Sequence, residues 1–146
     1  MKKKNKPKYV RAVPMLIYRT INENDVETAE YMAVHAFAHG FAQKSHFDKL
    51  IDLMNLMLVA GQTDKSRKYL IQYIDAKIKP VLGSIKTRYE NTGKLGVSGD
   101  ELKELRNMLQ VNKYFWLKQT GALYTFCCEQ VNLFYDERKN ARKVTK

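Results

Sequence analysis

Apolar side chains recur three and four residues apart along most of the chain. That spacing places them on one face of a helix. Phe47, Leu50, Ile51, Met54, Met57 and Leu58 form one such series. Leu70, Ile74, Ile78, Val81, Ile85 and Tyr89 form a second, and Leu102, Leu105 and Leu109 open a third. Glycine and proline are few, against the many turns an all-β chain needs. The pattern predicts one all-α domain of four to five helices over residues 22–136. An extended basic arm (1–21) precedes it and a basic tail (137–146) that frays follows it.

Punctuation places the helix ends. Asn24 with Glu27 has capping-box spacing, which predicts a first helix from near Asn24 to about Ala42. Val26, Ala29, Ala33, Phe37 and Phe41 share one face of it, and Met32, Ala36 and His39 another, so it is expected to be covered on two sides. Ser45 and Asp48 read as the next cap, and Gly61 as the left-handed residue ending that helix. A third helix is expected from Thr63 or Asp64. Its apolar phase survives Pro80, which predicts one kinked helix rather than two. Asn91–Gly99 is a glycine-rich connector, and Ser98 with Glu101 is the clearest capping box.

The last helical region has a different balance. Fifteen of the 25 residues from Val111 to Tyr135 are apolar or aromatic. That excess predicts either a central helix, with Phe126 inside, or an interface such as a homodimer. Gln110–Asn112 is a candidate break. At the other end, Val10, Val13, Ile17, Tyr18 and Ile21 suit an extended arm, and Pro14 holds Val13 extended.

Charge adds a partner class. The net charge is +11. Residues 1–20 hold seven basic side chains and no acid, and residues 136–146 hold five basic and two acidic. The 115 residues between carry 14 basic and 13 acidic. A nearly neutral body with two basic ends suits a polyanionic partner, nucleic acid first. The candidate phosphate contacts are Lys2, Lys3, Lys4, Lys6, Lys8 and Arg11 in the arm, with Lys65, Arg67 and Lys68 at the start of the basic third helix. Tyr9 and Tyr18 suit stacking on single-stranded bases. A helix-turn-helix around Gly61 is a poor fit, because Arg67 stands where that unit packs an aliphatic residue.

Catalytic and metal chemistry finds little support. His35 and His39 are one helical turn apart, but the glutamate of a zinc-binding HExxH motif is replaced by Ala36. Local hydrogen bonding is the better account of these histidines. The spacing of Gly93, Gly96 and Gly99 matches neither common phosphate-loop pattern, and Asp100, Glu101 and Glu104 would repel an anion there. Cys127 and Cys128 are adjacent, a poor geometry for mutual pairing on a helix, and read as core packing. No cofactor and no enzymatic activity are expected. No apolar segment is long enough to span a membrane. Without an export signal, two reduced cysteines predict the cytoplasm.

Two segments, Lys6–Pro14 (KPKYVRAVP) and Arg88–Leu102 (RYENTGKLGVSGDEL), resemble parts of small helical proteins carried by phages and other mobile elements of proteobacteria. The resemblance implies a mobile-element context and carries over no catalytic residue. The expected function is a non-enzymatic accessory or regulatory protein that binds nucleic acid through its basic ends. The alternative is a protein-binding module, an inhibitor or adaptor docking a host protein.

Overall fold

The computed structural model describes residues 29–145, with side chains through Ala141. The arm at 1–21 and the Asn24–Glu27 cap lie outside the described residues. Helix α1 is described over 29–38. It ends before Ala42 because Gly40 turns left-handed at φ 78°. The Phe41 N–H then donates back to Ala36 O (3.0 Å), and the Gly40 N–H to Phe37 O (3.4 Å), closing a Schellman turn. Ala33, Val34, Ala36 and Phe37 are buried. Met32, His39 and Phe41 are exposed, so the expected second covered face reduces to Ala36.

Helix α2 spans Lys44–Gln62. Its cap lies two residues earlier than the Ser45–Asp48 pair. The Gln43 N–H donates to His46 Nδ1 at 2.8 Å, so a histidine does the work usually given to Glu. Leu50, Leu53, Leu56, Met57 and Ala60 form its buried face. Gly61 does not end the helix. It is helical and buried, and a Cβ placed there would lie 2.7 Å from Ile71 Cγ1 and 3.2 Å from Arg67 O. The glycine is needed for close approach, not for a turn. Thr63 closes the end instead, its hydroxyl donating to Ala60 O at 2.6 Å.

A 3₁₀ turn at Lys65–Arg67 leads into α3. This helix is unbroken but not uniform: Lys68–Tyr73 is α-helical, Ile74–Ile78 is a π turn, and Lys79–Thr92 is α-helical again. Pro80 lacks an N–H and its ring crowds the carbonyl of Ala76. The wider π turn immediately before it accommodates both defects within one continuous helix. Leu70, Ile74, Ile78, Leu82 and Ile85 are buried along its length. The expected Val81 and Tyr89 are half-buried and exposed, because the apolar face swings to Leu82.

Gly93, left-handed at φ 74°, caps α3, and Ser98 opens α4 (Gly99–Leu117) through the expected box with Glu101. Gln110–Asn112 is not a break. Asn112 is buried mid-helix, where its Oδ1 accepts from Trp116 Nε1 at 2.8 Å. The chain turns at Lys118–Thr120 and continues as α5, Gly121–Thr145. The residues expected to fray after Asp136 carry α5 onward.

Among the described residues these are five helices and no strand, a single all-α domain. Helix α2 packs along both α3 and α5, and α4 packs on α3. Trp116, fully buried, takes the rings of Phe115 and Tyr124 edge-on, with centroids 4.8 and 5.0 Å away. Tyr135 joins α5 to α2. Its hydroxyl donates to Asp52 Oδ1 at 2.7 Å and accepts from Asn55 Nδ2 at 2.8 Å.

Candidate functional site

Lys2, Lys3, Lys4, Lys6, Lys8 and Arg11 lie outside the described residues. The second candidate group is described, and its members differ. Lys65 and Lys68 are exposed on the 3₁₀ turn and the first turn of α3. Arg67 is half-buried and committed to the fold: Nη1 donates to Thr63 Oγ1 at 2.9 Å, and Nη2 to Gln119 Oε1 at 3.1 Å. That second bond joins positions 52 residues apart and brings Lys118, exposed beside Gln119, to the same corner. Arg67 therefore positions a basic corner and is not one of its free cations. Lys118 was absent from the candidate set because its grouping with Lys65 and Lys68 exists only in space.

The rest of the basic third helix is partly neutralised. Lys79 pairs with Asp75 at 2.8 Å. Arg88 bonds to Glu101 and to Gly96 O (2.9 Å), folding the glycine-rich connector down onto α3.

Between α1 and α4 lies a cleft of about 1020 Å³, lined in part by Tyr31, Met32, His35, Lys103, Glu104 and Arg106. Glu104 Oε1 is buried with no hydrogen-bond partner among the described residues. The charged side chains of the cleft are two cations, Lys103 and Arg106, and this one carboxylate. The His35 and His39 rings lie 4.1 Å apart, and Phe41 meets His35 and His46 edge-on. Among the described residues no three His, Cys, Asp or Glu side chains gather where they could share a metal ion.

The cysteines are packing residues. Cys127 is fully buried and Cys128 half-buried, both reduced. Burial pushes the Cys127 thiol up to about 11, and raises that of Cys128 as well. Neither is poised as a thiolate nucleophile.

Helix α5 corrects the placement of Phe126. This ring is 45% exposed, as are Leu133 (52%) and Phe134 (48%). Among the described side chains of α5 the buried ones are Cys127 and Val131, on the face toward α2. Phe126, Gln130 and Phe134 line a groove of about 520 Å³ whose opposite wall is Asn55, Leu58, Val59 and Gln62 of α2. Periodicity could not tell which stripe of so apolar a helix turns inward.

No family model, curated protein or solved structure matches this chain. No helix among the described residues is long and apolar enough to cross a membrane.

Proposed function

We propose that this protein is a non-enzymatic accessory or regulatory protein of a phage or other mobile element, and that it binds nucleic acid through its basic ends. One observation carries the reading: the charge is segregated. Twelve of the 26 basic residues sit within residues 1–20 and 136–146, and the body between is nearly neutral. The course of α5 supports it, since the helix carries Arg138 and Lys139 beyond Val131, the last buried residue among its described side chains. The exposed Lys65, Lys68 and Lys118 add a third basic point on the body. Lysine and arginine contacts to phosphate supply affinity largely independent of base sequence, by releasing condensed counterions.

The test is removal of residues 1–8, which deletes five lysines and none of the described helices. Five phosphate contacts contribute about −4.5 to the slope of log affinity against log salt on duplex DNA, and about −3.5 on a single strand. Fluorescence anisotropy across a salt series should show weaker binding and a shallower slope for the truncated protein. Unchanged affinity and slope would remove the arm from the reading. No binding by the full chain at low salt would refute it.

A second reading, a module docking a host protein, is favoured by the exposed Phe126, Leu133 and Phe134. Soluble chains seldom leave such a stripe in water without a use for it.

A further inference from the structure

We infer that the outer surface of the α3–α4 seam binds single-stranded nucleic acid, with bases stacked on Tyr69 and Tyr114 and phosphates held by Lys65, Lys68 and Lys118. The inference rests on the nucleic-acid reading and deepens it, from charge at the two ends to a surface on the body.

Two hydrogen bonds bring these residues together. Tyr73 Oη accepts from Asn107 Nδ2 at 3.1 Å, and Gln119 Oε1 accepts from Arg67 Nη2 at 3.1 Å. They pin α3 against α4 at two levels. Tyr69 falls between Arg67 and Tyr73 along α3, and Tyr114 between Asn107 and Gln119 along α4. Tyr69 is one turn from Tyr73, and Tyr114 two turns from Asn107, so each continues the stripe that makes the Tyr73–Asn107 bond. Lys118 follows Tyr114 by one further turn, and Lys65 and Lys68 come just before Tyr69.

The fold leaves these side chains unused. Tyr114 (61% exposed) and Tyr69 (52%) are the most exposed tyrosines among the described residues. Neither hydroxyl has a hydrogen-bond partner there, and neither ring packs on another. Tyr73 and Tyr135, by contrast, are tied through their hydroxyls to Asn107 and to Asp52 and Asn55. Lys65, Lys68 and Lys118 are exposed and form no ion pair among the described residues, where the pairs are Lys79–Asp75 and Arg88–Glu101. The nearby acids are engaged. Asp64 accepts from the Ser66 hydroxyl at 2.9 Å and is offset by Arg67, and Asp75 holds Lys79 at 2.8 Å.

Exposed rings beside unpaired lysines fit a single strand better than a duplex or a protein. An unpaired base has a flat face that stacks on an aromatic ring whatever its sequence, while its phosphate meets a cation. In a duplex those faces are already stacked on one another, and only phosphates would meet the surface. Protein interfaces favour tyrosine but are depleted of lysine.

Fluorescence anisotropy with the full chain tests this, using labelled oligothymidylate, oligouridylate and a DNA duplex of equal length across a salt series. Tyr69→Ser and Tyr114→Ser should each weaken binding to the preferred single strand about fivefold or more, with the salt slope and the duplex affinity unchanged. Tyr69→Phe and Tyr114→Phe keep the ring and should keep the affinity. Lys68→Gln and Lys118→Gln should each make the single-strand slope shallower by about 0.7. These positions are exposed, so melting temperatures should not change. Single-strand binding that neither serine variant weakens would overturn the inference and leave the basic-end reading standing. Equal losses on single strand and duplex, or binding of the duplex alone, would do the same. No binding by the full chain to any of these probes at low salt would remove both.

Discussion

Arg88 Nη1 donates to Glu101 Oε2 at 3.1 Å, tying the last turns of α3 to the first turn of α4 across the glycine-rich connector. Glu101 serves two partners. Its Oε1 also accepts from the Ser98 N–H at 2.8 Å, completing the capping box. One carboxylate thus fixes both the start of α4 and its position against α3.

The pair predicts an acid-sensitive contribution to stability. The Arg88 hydrogen bond, ahead of the cap contacts, holds the Glu101 carboxyl below its ordinary value of 4.5. A carboxylate depressed on folding stabilises fully above that unfolded value and loses the contribution as pH falls through the lower folded one. Glu101→Gln keeps an acceptor for the cap but removes the charge, and should cost less than about 1 kcal/mol at neutral pH. Glu101→Ala removes both and should cost about 1–2 kcal/mol. Chemical denaturation at pH 7 and pH 3 checks this, because the gap between wild type and Glu101→Gln should narrow at the lower pH.

The buried Asn112–Trp116 pair predicts a larger effect. Asn112→Ala leaves the indole N–H buried without its acceptor, at a cost of about 1–3 kcal/mol. Trp116 is the chain's single tryptophan, so urea unfolding followed by its fluorescence reads the loss directly.

Two glycines predict opposite signs. At Gly61 an added Cβ meets Ile71 and the Arg67 carbonyl, and the backbone oxygen cannot swing aside as a side chain can. Overpacking of about 1–3 kcal/mol outweighs the helix-propensity gain, so Gly61→Ala should lower the melting temperature. At Gly83, inside α3, the added Cβ meets nothing within 4 Å. Gly83→Ala should stabilise by about 0.5–1 kcal/mol. Thermal melts of the two variants should move in opposite directions.

Two phenylalanines separate core from surface. Phe115 is 5% exposed, and Phe115→Ala should cost about 3–5 kcal/mol. Phe126→Ala should cost well under half of that, since its ring already meets water. Equal losses in chemical denaturation would show that Phe126 is packed after all.

Much of the fold was legible because its causes are local. The course of α2 and α3 and the start of α4 followed from apolar spacing. Continuity through Pro80 could be read from the surviving phase, and the Ser98–Glu101 box from two residues three apart. Helix ends were less legible where an unusual residue did the capping, as His46 does for α2. Of the candidate nucleic-acid contacts, the charges could be counted but not sorted. Lys65 and Lys68 are exposed, while Arg67 between them is held by Thr63 and Gln119.

The sequence by itself determined the all-α class, the course of α2 and α3, the start of α4 and the segregation of charge to the two ends. These depend on residues within one or two helical turns, or on composition. The tertiary structure decided the rest. It decided that Gly61 admits Ile71 instead of ending a helix, that Asn112 serves Trp116 inside the core, and that Lys118 joins Lys65 and Lys68. It also decided that Cys127 and Val131 face inward on α5 while Phe126, Leu133 and Phe134 face water. A helix apolar on several sides can bury any of its stripes, and only the neighbour that packs against it selects one.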